Sequence, residues 1–207
     1  MSTIKLYRHA LSGHSHRAEL LLSILGLEAE LIDVDLAAGA HKREPFLSRN
    51  RFGQVPVLED GEITLADSNA ILVYLASRYD DSGQLLPADP SAAAEVQRFL
   101  SVAAGQVANG PAAARLVNVF GAALDHARAI EGAHGLLSLL DEHLTGRDWL
   151  VGSAATLADL ANYAYIAHAP EGDVALGEYP AVRAWLARIE SLPGFVPMQA
   201  TAIGLAA

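Results

Sequence analysis

The spacing of apolar residues changes near residue 80, and this change constrains the fold more than any other feature of the sequence. In residues 1–80, segments that alternate apolar and polar residues are mixed with segments of helical spacing. Residues 81–91 contain one glycine and two prolines, a composition typical of a linker, and beyond them the spacing is helical almost throughout. The sequence therefore predicts an α/β domain over 1–80, a linker over 81–91 and an all-α domain over 92–207.

The first domain is predicted to have the element order βαβ, an irregular turn, and ββα. The predicted elements are a strand over 3–9, a helix over 16–26, a strand over 29–36, an irregular segment over 40–50, a hairpin over 55–65 that turns at Asp60-Gly61, and a helix over 69–79 that begins at Asp67-Ser68. A βαβ unit implies a parallel strand pair, and the hairpin adds an antiparallel pair. We therefore expect a mixed four-stranded sheet.

The second domain is predicted to be a helical bundle. The predicted helices cover 92–108, 112–132, 134–146, 156–169 and 180–192. The tripeptide NGP at 109–111 is expected to break the first helix from the second. Thr156 with Asp159 three residues later is a capping-box arrangement, with Asp in place of the usual Glu.

Composition excludes several classes of protein. The formal net charge of −10 argues against a nucleic-acid-binding surface, which is usually basic. No apolar run approaches the ~18 residues of a membrane helix, and the N-terminus lacks the pattern of a secretory signal. Cysteine is absent, which removes disulfides and any cysteine nucleophile of the chain and fits a reducing cytoplasm.

Pro56 stands at the entrance of the predicted hairpin, where it can donate no ladder hydrogen bond. If the Val55–Pro56 peptide bond is cis, the N–H and C=O of Val55 are turned away from the sheet and need other partners. An extended peptide lying antiparallel to Val55 could supply them. The alternative is a trans proline at the first residue of an edge strand.

Five motifs in order resemble the glutathione transferase family, especially its serine-type, phi-like and bacterial members. They are LYRHALSGHSHR (6–17), HKREPFLSRNRFGQVPVLEDG (41–61), DSNAILVYLASRY (67–79), DWLVGSAATLADLANYAY (148–165) and YPAVRAWLARIESLPGF (179–195). The resemblance covers nearly the whole chain. It implies a thioredoxin-like domain with a cis-proline, followed by an all-α domain that contains the site for an electrophile.

The resemblance implies that the first domain binds glutathione as a co-substrate, with no other cofactor. Glutathione is an extended tripeptide with a carboxylate and an ammonium at one end, a carboxylate at the other and a thiol between. The helix start at Asp67-Ser68 suits the first end, since free N–H groups and the hydroxyl attract a carboxylate and Asp67 accepts from the ammonium. The expected glutathione-binding residues are His41, Lys42, Gln54, Val55, Pro56, Asp67 and Ser68. The alternatives are that Asp67 or Ser68 is only an N-cap and that His41 and Lys42 are a solvated loop pair.

The transferase reaction needs glutathione as the thiolate. In the family a hydroxyl near the first helix donates a hydrogen bond to the sulfur, and Ser12, five residues before Arg17, matches the serine of that motif. Ser15 is the second candidate, and His14, where relatives often have Asn, is a further possible donor. Tyr7 is the tyrosine-type alternative, and a plain N-cap role for the serine stays open.

The remaining expectations concern metals, partners and the reaction. His14 and His16 have the spacing of a metal pair, but no third and fourth ligands stand at suitable spacing, so no metal site is expected. Phe52 is expected to hold a homodimer or to pack on its own domain. Helix 92–108 and residues 109–117 are candidate walls of the hydrophobic electrophile pocket. The alternatives to transfer are glutathione-dependent reduction of peroxides or disulfides, isomerisation, and ligand binding without turnover.

Overall fold

The computed structural model describes residues 4–202, and they form two compact units. The first unit comprises residues 4–81 together with 193–199, and the second comprises 82–192 with 200–202. Residues 193–199 thus belong to the first unit although they follow the last helix, which the sequence did not indicate. Among residues 4–202 no helix is both long and apolar enough to cross a membrane.

A mixed four-stranded sheet forms the centre of the first unit, as predicted. Its strands are β1 (Ile4–Arg8), β2 (Ala29–Asp33), β3 (Val57–Asp60) and β4 (Ile63–Ala66), in the order β2-β1-β3-β4. β1 pairs with β2 in parallel and with β3 antiparallel, and β3 with β4 completes the hairpin. In the central strands Leu6 faces Leu58 in register, and both are fully buried.

Three helices and a short 3-10 turn complete the first unit. They are α1 (Gly13–Ile24), the turn Ala40–Lys42, α2 (Phe46–Arg49) and α3 (Ser68–Tyr79). α1 is buried over most of its surface, including the consecutive Leu20, Leu21 and Leu22, whereas α3 buries one face through residues such as Ile71 and Leu75. The two helices contact each other. α1 begins three residues before its predicted start at residue 16, which makes Ser12 its N-cap.

The second unit is entirely helical between residues 90 and 190 apart from its connections. Its elements are α4 (Pro90–Val102), a π-helical segment (Ala103–Ala112), α5 (Ala113–Phe120), α6 (His126–Leu144), α7 (Leu157–Ala167), a 3-10 turn (Ala169–Gly172) and α8 (Pro180–Glu190). The predicted capping box is present, because Thr156 and Asp159 cap the start of α7 reciprocally.

The predicted break at 109–111 is wrong. The chain stays helical from Pro90 to Phe120 and contains Pro111 inside the π-helical segment. The wider hydrogen-bond pattern of a π-helix tolerates a residue that donates no N–H. Gly110 lies so close to α6 that a Cβ there would be 3.0 Å from the Ala133 nitrogen, so the glycine serves packing and not chain breaking.

The predicted helix over 112–132 is also divided differently. It ends at Phe120, because Gly121 adopts a positive φ of 65° as the C-cap. A new helix starts after Asp125, whose side chain accepts a hydrogen bond from the Arg128 N–H, and it continues unbroken to Leu144. Good helix formers around the two glycines within it outweigh their cost, which is about 1 kcal/mol each.

Candidate functional site

Ser12 caps the N-terminus of α1. Its backbone is extended (φ −91°, ψ 116°), and its side-chain oxygen accepts a hydrogen bond from the Ser15 N–H at 3.2 Å. A hydroxyl that accepts through its oxygen keeps its own O–H to donate. The partly buried Ser12 hydroxyl therefore lies at the positive end of a helix with a proton left to donate, which suits stabilisation of an anion.

Ser15 lies one turn into the same helix and has a different environment. Its side chain is 1% exposed, and its Oγ accepts a hydrogen bond from the His9 N–H at 3.2 Å. The hydroxyl thereby ties the β1–α1 connection to the helix. This geometry assigns Ser15 to the scaffold beneath the N-terminus and leaves Ser12 as the more accessible of the two hydroxyls.

His14 brings the first turn of α1 next to the start of α3. Its Nδ1 lies 3.4 Å from Ser68 Oγ, and Arg17 Nη1 donates a hydrogen bond to the same Oγ at 3.2 Å. Burial lowers the pKa of His14 to about 4, with Arg17 acting in the same direction and Asp67 against it. His14 is therefore a neutral imidazole near neutral pH, able to donate through one ring nitrogen and accept through the other.

The start of α3 carries an unusual backbone conformation. Asp67 caps the helix with φ 76° and ψ 125°, and its carboxylate accepts a hydrogen bond from the Ala70 N–H at 2.9 Å. A non-glycine residue in such a sparsely populated conformation costs about 1–3 kcal/mol, and residues of this kind cluster at functional sites. Asp67 is exposed whereas Ser68 is buried, so a strained carboxylate stands at the surface beside a hydroxyl in the helix entrance.

The loop before β3 is held by Asn50, a residue that the sequence did not single out. Asn50 is 6% exposed; its Nδ2 donates to the Gln54 carbonyl at 2.8 Å, and its Oδ1 accepts from the Phe52 N–H at 3.0 Å. The Val55–Pro56 peptide bond is cis. The side chain of Val55 packs against the buried Val34–Phe46–Val57 cluster, while its backbone has no hydrogen-bonding partner among residues 4–202.

His41 and Lys42 lie against the same loop. Lys42 Nζ donates to the Phe52 carbonyl at 3.1 Å. Gly53 has a φ of 59°, and a Cβ there would be 2.7 Å from the His41 carbonyl oxygen, so only glycine permits this close approach. Burial and the neighbouring Lys42 charge both lower the pKa of His41.

Tyr7 is engaged elsewhere. Its hydroxyl donates to Glu59 Oε2 at 3.0 Å, across the β1–β3 pair. Arg49 bonds the other carboxylate oxygen at 2.8 Å and its guanidinium lies 4.6 Å from the centre of the Tyr7 ring. The phenol thus anchors α2 to the sheet, and this geometry favours a hydroxyl at the start of α1 over Tyr7 as the sulfur contact.

The predicted residues therefore fall into two groups. The structure brings His14 next to Ser68 at the helix starts, and His41 and Lys42 next to the Phe52–Gln54 loop. Sequence reasoning missed the supporting roles of Arg17, Asn50 and Asn69, the last accepting from Arg17 Nη1 at 2.9 Å. Residues 4–202 contain no group of three or more side chains that could hold a metal ion, and His16 bonds the Val196 carbonyl.

Comparison with known proteins identifies the family. The family model described as glutathione S-transferase, N-terminal domain, matches residues 2–77, and the model of the C-terminal domain matches residues 121–193. Glutathione S-transferase 3 of Zea mays is 37% identical over 209 residues, which cover 94% of this chain and 92% of that protein. The chain belongs to the glutathione S-transferase family.

Solved structures agree with this membership. A glutathione S-transferase from Pseudomonas fluorescens Pf-5 matches with a TM-score of 0.90 and 32% identity, covering 96% of this chain and 100% of that one. A glutathione transferase homologue from Drosophila mojavensis, solved with bound glutathione, matches with a TM-score of 0.86 and 28% identity over 93% of this chain and 90% of that one. The thioredoxin-like fold of the first unit and the helical second unit are thus those of the family, as the motifs predicted.

Proposed function

We propose that this transferase binds glutathione on its first unit, stabilises the thiolate through the Ser12 hydroxyl, and directs it to an electrophilic, mostly hydrophobic co-substrate. The observation that carries the proposal is the backbone of Val55. Its N–H and C=O lack a partner among residues 4–202, whereas buried and half-buried backbone groups are normally paired. A bound peptide lying antiparallel supplies that pairing.

The two ends of glutathione match the two residue groups. Ser68 and the N-terminus of α3 receive the carboxylate of the γ-glutamyl end, and the exposed Asp67 carboxylate accepts from its ammonium. At the other end the glycine carboxylate meets His41 and Lys42, with Gln54, Val55 and Pro56 along the middle. Because the pKa of His41 is lowered, it acts there as a neutral N–H donor beside a charged lysine.

The chemistry is one nucleophilic step. The thiol of bound glutathione loses its proton to solvent, and the thiolate sulfur attacks the electrophilic carbon to form a C–S bond, while a leaving group departs with the displaced electron pair. Ser12 donates its O–H to the sulfur, and the N-terminus of α1 adds its dipole. A drop of about two units in the thiol pKa corresponds to ~2.7 kcal/mol, which one charged hydrogen bond and a helix dipole can supply.

His14 is the second polar group that we assign to the sulfur side of the site. As a neutral imidazole it cannot attract the thiolate by charge, but it can donate one N–H. Ser15, buried against the β1–α1 connection, serves as scaffold. We therefore expect Ser12 to contribute most of the thiolate stabilisation and His14 less.

The proposals for the electrophile, the partner and the compartment also rest on similarity to the glutathione S-transferase family. We propose that residues 92–117, which form α4 and the π-helical segment, contribute to the electrophile-binding surface. Phe52 is 82% exposed, and we propose that it anchors a homodimer. The absence of cysteine fits a reducing compartment, and the cytoplasm is the compartment that we propose.

The proposal is tested by assaying one generic aryl halide electrophile and one organic peroxide, each with and without glutathione. Conjugation of the electrophile that requires glutathione supports transfer. Glutathione-dependent turnover of the peroxide but not of the aryl halide would instead favour the reductase function. Binding of glutathione without turnover of either substrate would favour a ligand-binding role. Failure to bind glutathione at all would overturn transfer and every glutathione-dependent alternative.

A further inference from the structure

Residues 193–199, which we call the C-terminal strap, belong to the first unit and contact α1 at two places. At one end of this helix Gly194 adopts φ +79°, and a Cβ there would be 2.7 Å from the Ser23 carbonyl oxygen and 3.0 Å from Ile24 Cα. The strap backbone therefore touches the last turn of α1 so closely that only glycine fits. Met198, further along the strap, is buried.

At the other end of the helix the strap meets His16. His16 is 3% exposed, and its Nε2 is 2.8 Å from the Val196 carbonyl oxygen, which can only accept, so Nε2 carries the proton and donates. A buried imidazole held to a backbone carbonyl has one ring orientation and one tautomer. The strap thus contacts α1 in its last turn, through Gly194, and in its first turn, through His16.

His16 is also joined to the candidate sulfur contact. Its backbone N–H donates to the Ser12 carbonyl at 2.9 Å, the bond that closes the first turn of α1. On its other side the Ser12 N–H donates to the His9 carbonyl at 2.9 Å, so the backbone of Ser12 is held from both directions. Because the His16 N–H is bonded to the Ser12 carbonyl, a displacement of the His16 backbone also displaces Ser12 and its hydroxyl.

We propose that His16 is a positioning residue for thiolate stabilisation and that the C-terminal strap is a structural part of the thiol site. The strap fixes the His16 ring, His16 fixes the first turn of α1, and that turn sets the distance from the Ser12 hydroxyl to the sulfur. This inference rests on the proposed function of Ser12. It assigns to residues after the last helix a role in the chemistry of the first unit.

The first test replaces the side chain of His16. His16→Leu removes the donor to Val196, and His16→Gln keeps an N–H at comparable reach. The matched control is His143→Leu, because His143 Nε2 also bonds a backbone carbonyl, that of Leu150 at 2.9 Å, but lies in the second unit. The measured quantity is the pKa of the thiol of bound glutathione, from the ultraviolet absorbance of its thiolate, together with the pH profile of kcat/KM.

We expect His16→Leu to raise the thiol pKa by about one unit, since small misplacements of a positioned group cost about tenfold or more. kcat/KM then falls about tenfold at pH values below the thiol pKa and recovers above it, a pattern that general loss of folded protein does not give. His16→Gln restores most of the effect, and His143→Leu leaves the thiol pKa unchanged.

The second test displaces the strap without touching His16. Gly194→Ala introduces both the positive-φ strain and the clash with the Ser23 carbonyl, whereas Gly83→Ala, at φ +64° with open space around it, introduces the strain alone. We expect Gly194→Ala to raise the thiol pKa in the same direction as His16→Leu, and Gly83→Ala to leave it unchanged.

The outcomes separate this inference from the proposed function. If Ser12→Ala raises the thiol pKa while His16→Leu and Gly194→Ala do not, Ser12 keeps its role and the strap proposal is overturned. If Ser12→Ala leaves the thiol pKa unchanged, that result contradicts the proposed function itself. A rise in both controls equal to that in the test variants also overturns the strap proposal, because the effect is then not local to α1.

Discussion

The helices α3 and α7 begin with the same kind of cap but in opposite environments. At α3 the exposed Asp67, at positive φ, accepts from the Ala70 N–H, and the Ser68 hydroxyl stands beside it. At α7 the cap Thr156 is buried and Asp159 is 0% exposed. The Asp159 carboxylate accepts four hydrogen bonds, from the Leu150 N–H, the Thr156 N–H and hydroxyl, and the Trp185 Nε1–H.

The difference shows that a capping sequence alone does not indicate whether its polar groups stabilise the fold or bind a ligand. Where the cap and its neighbours are buried and every acceptor is occupied, as at α7, the polar groups stabilise the helix and the loop before it. Where the cap is exposed and strained, as at α3, its local hydrogen bonds leave acceptor and donor capacity for a ligand. The following predictions test this contrast.

The largest expected effect is on stability, from Asp159→Asn. The substituted amide turns an N–H₂ group toward at least one of the four donors, so buried donors lose their acceptor. We expect the free energy of unfolding to fall by about 3 kcal/mol or more, at about 1–3 kcal/mol per unsatisfied group. Chemical denaturation measures this, with the glutathione affinity of the folded fraction as the control that should stay unchanged. A loss below about 1 kcal/mol would contradict the structural role of this cap.

Ser68→Ala should act on binding and not on folding. Removing a donor to a charged carboxylate costs about 1.5–3 kcal/mol, so the dissociation constant for glutathione should rise by about ten- to a hundredfold. Arg17 keeps Asn69 as a partner, so the loss of stability should be small. Calorimetric titration with glutathione measures the affinity, and Ser138→Ala on α6 in the second unit is a matched control. Unchanged affinity would place the γ-glutamyl carboxylate elsewhere.

Asp67→Gly should separate stability from affinity. Glycine relieves the positive-φ strain of about 1 kcal/mol and replaces an N-cap at a cost of only a few tenths. We therefore expect the free energy of unfolding to stay level or increase slightly, while the affinity for glutathione falls about fivefold because the ammonium loses its acceptor. The two quantities are measured by denaturation and by calorimetry. A clear loss of stability without a loss of affinity would make Asp67 a cap like Thr156.

The expected effect that is smallest near neutral pH is the pH dependence contributed by His14. Its pKa is lowered from 6.5 to about 4 in the folded protein, mainly by burial. Between these values the unfolded chain binds the proton and the folded chain does not, so His14 destabilises the fold increasingly as the pH falls from 6.5 toward 4. His14→Asn should flatten the stability–pH curve in this interval. Parallel curves for the variant and the parent would show that His14 titrates normally.

Most of the fold could be predicted because its signals are local, whereas the roles of the site residues stay predictions. Alternation and the Asp-Gly turn predicted the mixed sheet, a helix-start pattern indicated Asp67 and Ser68, and the resemblance to the serine-type motif indicated Ser12. The supporting roles of Asn50 and Arg17 could not be predicted, since they depend on contacts that the sequence pattern does not indicate. The helix through Pro111 was missed for a related reason: packing of Gly110 on α6 outweighs the local breaker signal.

The contact between the C-terminal strap and α1 is a second feature that local sequence patterns do not indicate, over a longer separation in the chain. His16 and Val196 are 180 positions apart, and neither stands in a pattern that indicates the other. His14 and His16 have the spacing of a metal pair, but no metal site was expected there, and in the structure His16 donates a hydrogen bond to a backbone carbonyl. Local patterns identify groups that can do chemistry, and the long-range contacts decide which of them are free to do it.

The most direct test of the account is the ultraviolet titration of bound glutathione in Ser12→Ala. We expect glutathione to bind with an affinity close to that for the parent protein, because both ends of the tripeptide keep their contacts. We expect the thiol pKa to rise by about one to two units toward that of the free thiol. An unchanged thiol pKa with glutathione bound would contradict the assignment of Ser12 as the group that stabilises the thiolate.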